Sequence, residues 1–273
     1  MRGELGFCQA GADLELSYIG VHHGEEPPIS GTKGSGTIFA YHCTMGCVFC
    51  QNWQISQGGK NTNSGIVSDF GLSKIQNGHN INLVSPTQYA PQLFKLIEGT
   101  ALPVVYNTNG YERVEILREL AGHVAIYLPD MKYSDNALAL KYSKTANYVE
   151  YNQAAIAEMF TQVGLLQTDA QGIAIQGLIV RHLVLPGQVE NSKHCLDFIA
   201  QLNPEITVSV MAQYAPQYKS CDYPEIDRKL SGKEYSEIVA YAEKLGLENC
   251  YIQELESQDV YVPDFTALQP FQN

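Results

Sequence analysis

The sequence predicts an α/β protein built on a partial, TIM-like (β/α)6 barrel with parallel strands. Two patterns predict it. Six short apolar runs recur along the chain, and most are followed by a polar turn and then a segment of helical spacing. The runs are apolar nearly throughout rather than alternating, as strands are when a sheet is covered on both faces. Strand–helix units in series imply a parallel sheet with right-handed crossovers.

The first strand is expected at residues 37–41 (TIFAY) and the second at 81–84 (INLV). A helix follows at 91–98, stopped by Gly99. The third strand, 103–106 (PVVY), precedes a helix at 111–120 in which Val114, Leu117 and Leu120 share a face. The fourth strand is 124–128 and the next helix 150–163, with Ile156, Met159, Phe160 and Val163 on one side. The fifth strand, 177–184, leads to a helix at 192–202. The sixth, 206–211, leads to a helix at 234–245 that ends at Gly246. Residues 1–36 are expected to form an irregular N-terminal segment, because 20–36 are rich in Gly, Pro and Glu. The core is assigned to 37–254 and a tail to 255–273. The loops at the carboxyl ends of barrel strands converge on one mouth. Here those loops are 43–50, 85–88, 107–110, 130–132 and 213–214.

The 273 residues carry a net charge of −12, which argues against a nucleic-acid partner. No apolar stretch of signal-peptide type opens the chain, and no run of about 18 apolar residues suits a membrane span. The expectation is a cytoplasmic protein.

The chemistry-bearing motif is His42-Cys43-Thr44-Met45-Gly46-Cys47-Val48-Phe49-Cys50, spaced C-x3-C-x2-C. With seven cysteines in the chain, two falling by chance at +4 and +7 of another has a probability of roughly 0.3%. Three thiolates on one tight loop suit a four-iron cluster with one iron open, since full ligation takes four cysteines. A structural zinc site is the alternative, with Cys8 or His42 as fourth ligand. A non-catalytic metal-binding protein is the corresponding functional alternative. An odd cysteine count makes a disulfide framework the weaker reading. Cys195, Cys221 and Cys250 stand apart from the motif.

The stretches GSGTIFAYHCTMGCVFCQNWQIS, NLVSPTQY, VVYNTNGYE, IYLPDMKYSD and RHLVLPG, in this order, resemble the radical S-adenosylmethionine (SAM) enzymes. Among these the chain is similar to the relatives of pyruvate formate-lyase activating enzyme. The resemblance implies that Cys43, Cys47 and Cys50 hold a [4Fe-4S] cluster whose open iron takes SAM. It implies reductive cleavage of SAM to a 5′-deoxyadenosyl radical that abstracts hydrogen. The substrate is then a glycine of a glycyl radical enzyme or another peptide or small molecule. It further implies a flavodoxin- or ferredoxin-type electron donor and anaerobic conditions. Lys132, Lys141 and Lys144 are candidates for a basic patch meeting that donor.

The same comparison marks Ser85, Thr87, Gln88, Asn107, Asn109, Asp130 and Gln213 as cofactor-binding candidates. Pro86-Thr87-Gln88 stands where the family has Gly-Gly-Glu, so an ionic partner for the SAM ammonium is replaced by an amide. Asn107 stands where the activating enzyme has an aspartate, which leaves Asp130 alone at the expected monovalent-cation site. Gln213 or Tyr214 takes the place of a histidine after the sixth strand. Arg181 and Lys132 are the catalytic candidates. Arg181 and His182 are adjacent in an apolar strand, so one faces the lumen and one the helices. Arg181 is assigned to the lumen, with an ion pair as its alternative role. Phe49 and Trp53 are expected to pack over the cluster and limit water, while His22 and His23 read as loop residues.

Overall fold

A computed structural model describes residues 5–58, 69–260, 262–267 and 269–271. Its strands are β1 (Leu16–His22), β2 (Ser35–Ala40), β3 (Ile81–Val84), β4 (Val104–Thr108), β5 (Ile126–Pro129), β6 (Gln167–Thr168), β7 (Ala174–Leu183), β8 (Thr207–Met211) and β9 (Cys250–Ile252). Its helices are α1 (Pro27–Ser30), α2 (Trp53–Ser56), α3 (Asp69–Ile75), α4 (Ala90–Leu96), α5 (Val114–Glu119), α6 (Asn136–Ser143), α7 (Tyr148–Val163), α8 (Val189–Leu202) and α9 (Gly232–Lys244). The sheet runs β1-β2-β3-β4-β5-β7-β8-β9, with β6 paired to β7. All pairs from β2 to β9 along this path are parallel, and β1 runs antiparallel to β2 at one edge.

The six expected strands are β2, β3, β4, β5, β7 and β8. Every residue of β2, β3, β4, β5 and β8 is buried, which is why their sequences do not alternate. One row across the sheet, Ile38, Leu83, Tyr106, Tyr127 and Leu178, faces the helices. Its members pack with Leu93 of α4, Leu117 of α5, and Ile156 and Met159 of α7. Residues of the neighbouring rows (Phe39, Val84, Asn107, Arg181, Ser209 and Tyr251) line a cavity inside the barrel. His182 is fully buried on the opposite face, its Nδ1 2.7 Å from the Met131 carbonyl. The period-2 reading of Arg181 and His182 therefore holds.

Three features differ from the sequence expectation. Residues 16–22, expected in an irregular segment, form β1 with a register extending from Leu16–Ala40 to His22–Ser35. Ser17, Gly20 and His22 break the apolar run that would have marked it. Next, α1 closes the lumen floor. Its Ile29 packs with Val105, Ile126, Leu128, Ala174 and Ile179. Pro27 at its first position suits a helix start. Finally, β9 adds a parallel strand to the six, too short at three residues to register as a periodic run. In the tail, Phe265 and Phe271 pack against Phe39.

Candidate active site

The cysteine loop leaves β2 through His42, whose φ of 72° turns the chain. His42 Nε2 lies 2.9 Å from Glu15 Oε2, tying this turn to the N-terminal segment. The loop entrance is also pinned from β3. The Gln88 side-chain amide nitrogen lies within 3.1 Å of the carbonyl oxygens of Tyr41, His42 and Ser85. Farther along, the Gly46 and Val48 amides donate to the Ser143 and Tyr142 carbonyls at the end of α6.

Cys43, Cys47 and Cys50 line a single cavity of about 920 Å³. Each sulfur has one polar side-chain neighbour. Asn109 Nδ2 donates to Cys43 Sγ at 3.3 Å, Ser143 Oγ to Cys47 Sγ at 2.9 Å, and Ser56 Oγ lies 3.2 Å from Cys50 Sγ. Burial raises all three thiols, Cys47 to about 12 and Cys50 to about 11. Such thiols keep their protons until a metal displaces them. Among the described residues no group of three or more His, Cys, Asp or Glu side chains is placed to hold a single metal ion. Zinc draws its donors to a single centre, whereas a four-iron cluster spreads its cysteines over separate irons. Three thiols lining one cavity fit the cluster. His42 is paired with Glu15, and Cys8 is not among the lining residues.

The other candidates divide into two groups. Ser85, Asn107, Asn109, Asp130, Lys132, Arg181 and Gln213 line the same cavity as the cysteines. Thr87 and Gln88 do not. Gln88 is spent on the loop carbonyls, and Thr87 Oγ1 donates to Glu112 Oε1 at 2.6 Å. Thr108 Oγ1 donates to the same oxygen at 2.5 Å. Burial pushes Glu112 up to about 7 despite these bonds. Gln213 Oε1 accepts from Gln253 Nε2 at 2.8 Å, and its carbonyl accepts from Gln51 Nε2 at 2.6 Å. Tyr214 is buried with its hydroxyl on the Ile226 carbonyl, so Gln213 is the polar side chain at that position.

A charged network crosses the lumen beneath the cysteines. Arg181 Nε donates to Asp130 Oδ1 at 2.9 Å, and Nη2 to Asn107 Oδ1 at 2.7 Å. Lys132 Nζ pairs with the other Asp130 oxygen. Arg181 is therefore both a lumen residue and an ion-pair member. Burial alone would raise Asp130, but Arg181 and then Lys132 outweigh it and hold the carboxyl below its ordinary range. Both oxygens of Asp130 thus meet side-chain cations, at the place where the family resemblance put a monovalent metal ion. Tyr148 and Asn152 of α7 hold these loops together by donating to the Asp130 carbonyl at 3.2 and 2.9 Å. A Cβ at Gly110 (φ +75°) would lie 2.2 Å from that carbonyl oxygen, so the turn requires glycine.

Sequence reasoning missed Glu25 and Glu26. The GEEPP stretch read as loop, yet both carboxylates rise from the floor plug into the cavity. Glu25 accepts from Asn82 Nδ2 at 2.9 Å and Asn107 Nδ2 at 3.3 Å, and lies 3.5 Å from Arg181 Nη1. Two adjacent acids held against Pro-Pro were the available signal. Phe49 lines the cavity and packs against Tyr214 at 5.7 Å, while Trp53 stacks on Tyr218 at 5.5 Å. His22 ends β1 and packs on Phe271.

The barrel shares its fold with solved structures of low sequence identity. Streptococcus suis SuiB bound to its precursor peptide SuiA superimposes with a TM-score of 0.54 at 15% identity, over 80% of this chain and 48% of that one. SuiB bound to S-adenosylmethionine gives 0.53 at 14%, over 78% and 48%. Methylornithine synthase gives 0.51 at 16%, over 77% and 61%. The chain spans about half the length of SuiB. No family model matches it. The uncharacterized protein MJ0674 of Methanocaldococcus jannaschii is 31% identical over 265 residues, which is 91% of this chain and 72% of that protein. The chain belongs to the family of that protein. Among the described residues no helix is long and apolar enough to cross a membrane.

Proposed function

We propose that this protein is a radical SAM enzyme. Cys43, Cys47 and Cys50 would hold a [4Fe-4S] cluster, leaving one iron for S-adenosylmethionine. When bound, the pair supplies a 5′-deoxyadenosyl radical for hydrogen abstraction, the step for which the cofactors carry the hard chemistry. The supporting observation is that three thiols line one cavity with Asp130, Lys132, Arg181 and Gln213, at the carboxyl ends of parallel strands.

The chain's own residues would do the following. Asn109 and Ser143 donate to the sulfurs of Cys43 and Cys47, which favours the more negatively charged thiolate state. Gln88 fixes the loop entrance rather than touching cofactor. Phe49, backed by Tyr214, shields the mouth from water. Lys132 and Arg181 present positive charge to a carboxylate entering the cavity, at the expense of their contacts to Asp130. The motif resemblance supports a glycyl-radical-enzyme activase role, and the peptide seen with SuiB supports a peptide substrate more generally. A flavodoxin- or ferredoxin-type protein is the proposed electron donor, and cytoplasmic, anaerobic conditions suit such a cluster.

Anaerobic reconstitution tests this reading. The expected product carries about four irons and four sulfides per chain, and its reduced-state EPR signal changes on adding SAM. A colourless protein binding one zinc per chain would exclude it.

A further inference from the structure

We propose that Glu26, on the lumen floor, binds a cationic nitrogen of the substrate, an ammonium or a guanidinium. This deepens the radical SAM reading by naming a substrate class, and rests on it.

Position is the first support. The cysteines follow the carboxyl end of β2, whereas Glu26 precedes its amino end and caps α1, the plug that closes the barrel floor. Both line the one cavity, from opposite ends. At about 920 Å³ the cavity lies near the top of the ~300–1,000 Å³ range for ligand sites. A cofactor at the mouth would leave the floor for a second molecule.

The two adjacent glutamates also differ in their partners. Glu25 is consumed by Asn82, Asn107 and Arg181. Glu26 is 8% exposed, and its Oε2 has no hydrogen-bond partner among the described residues. A buried carboxylate oxygen without a donor is costly, and it is satisfied when a donor-bearing ligand arrives. Ser209, which also lines the cavity, hydrogen-bonds the Glu26 carboxyl, and Oε2 is the oxygen left over.

Charge supplies a third support. Glu25, Glu26 and Asp130 face Lys132 and Arg181, three acids against two bases, and among the described residues no other Lys or Arg lines the cavity. Glu254 adds a further acid at the rim. Both cations contact Asp130, and Arg181 is shared further with Glu25 and acts on Glu26, so one guanidinium serves three acids. The floor therefore selects a cation and disfavours an anion. Burial raises the Glu26 carboxyl, Arg181 and Ser209 oppose that rise, and an arriving cation would further favour the charged form.

A free amine and a peptide side chain offer the same chemistry, and the test separates them. Cluster-loaded protein with SAM, without reductant, is titrated with agmatine, L-arginine and the tripeptide Gly-Arg-Gly. L-citrulline and Gly-citrulline-Gly serve as neutral counterparts. At least one cation is expected to bind about tenfold or more tighter than its neutral counterpart. Glu26→Gln should bring the two within about threefold while leaving SAM affinity unchanged. Discrimination by the tripeptide but not by the small molecules identifies a peptide side chain, and the reverse a free amine. Should E26Q not fold, Glu26→Asp, which keeps the charge but shortens its reach, is titrated instead and should narrow the discrimination between cation and neutral counterpart. The proposal is overturned if no probe discriminates, if E26Q keeps the discrimination, or if E26Q weakens SAM instead. Failure of the radical reading would appear separately, as missing iron and sulfide.

Discussion

Asn109 Nδ2 lies 3.3 Å from Cys43 Sγ and 2.9 Å from Thr44 Oγ1, so the loop after β4 directly supports the loop after β2. Asn109 is itself oriented by the Tyr111 amide, which donates to its Oδ1 at 2.9 Å. A donor to a ligand sulfur stabilises the reduced, more negative cluster. Asn109→Leu should lower the cluster potential by on the order of 60 mV, a tenfold change for one electron. Redox titration followed by EPR measures it, and an unchanged or raised potential would contradict the assignment.

Asp130→Ala should destabilise the protein by about 3–5 kcal/mol, because it leaves Arg181 and Lys132 buried without their main counter-charge. The native carboxyl is held low, so its contribution is present above the unfolded value of ~3.9 and lost as pH falls below it. Urea unfolding at neutral pH and near pH 3 reads both effects. A loss that persists undiminished at acid pH would show that charge pairing is not the cause.

Glu112 gives the opposite pH dependence. Its folded-state value of about 7 means that the native state favours the protonated form. Wild type should therefore lose stability relative to Glu112→Gln as pH rises from about 4.5 to 7, by on the order of 3 kcal/mol, and then level off. Unfolding free energies of both proteins across this range test it. A flat difference would mean that Glu112 ionises without penalty.

Gln88→Ala removes the donor facing three buried carbonyl oxygens at the entrance to the cysteine loop. The expected loss is about 1–3 kcal/mol, together with reduced cluster retention. Thermal unfolding and iron content after gel filtration check it. Full retention of both would return Gln88 to the list of cofactor contacts.

The strand pattern was legible because burial on both faces leaves a run of apolar residues that needs no long-range information. The mouth was legible for the same reason, since parallel strands send their following loops to one end. What escaped depended on contacts across the chain. Glu25 meets Asn82, Asn107 and Arg181 over separations of 57 to 156 residues. Gln88 and Thr87 sit in the right loop, yet their side chains turn to loop carbonyls and to Glu112. β1 and β9 escaped because edge strands with polar or few residues carry little periodicity.

The most direct test measures 5′-deoxyadenosine formed from SAM by the reconstituted protein under dithionite. Wild type should produce it, and Cys47→Ala should reduce it to the level of the protein-free control. Equal product from Cys47→Ala, or none from a wild-type protein with full iron and sulfide, would contradict the assignment of the cysteine loop to radical generation.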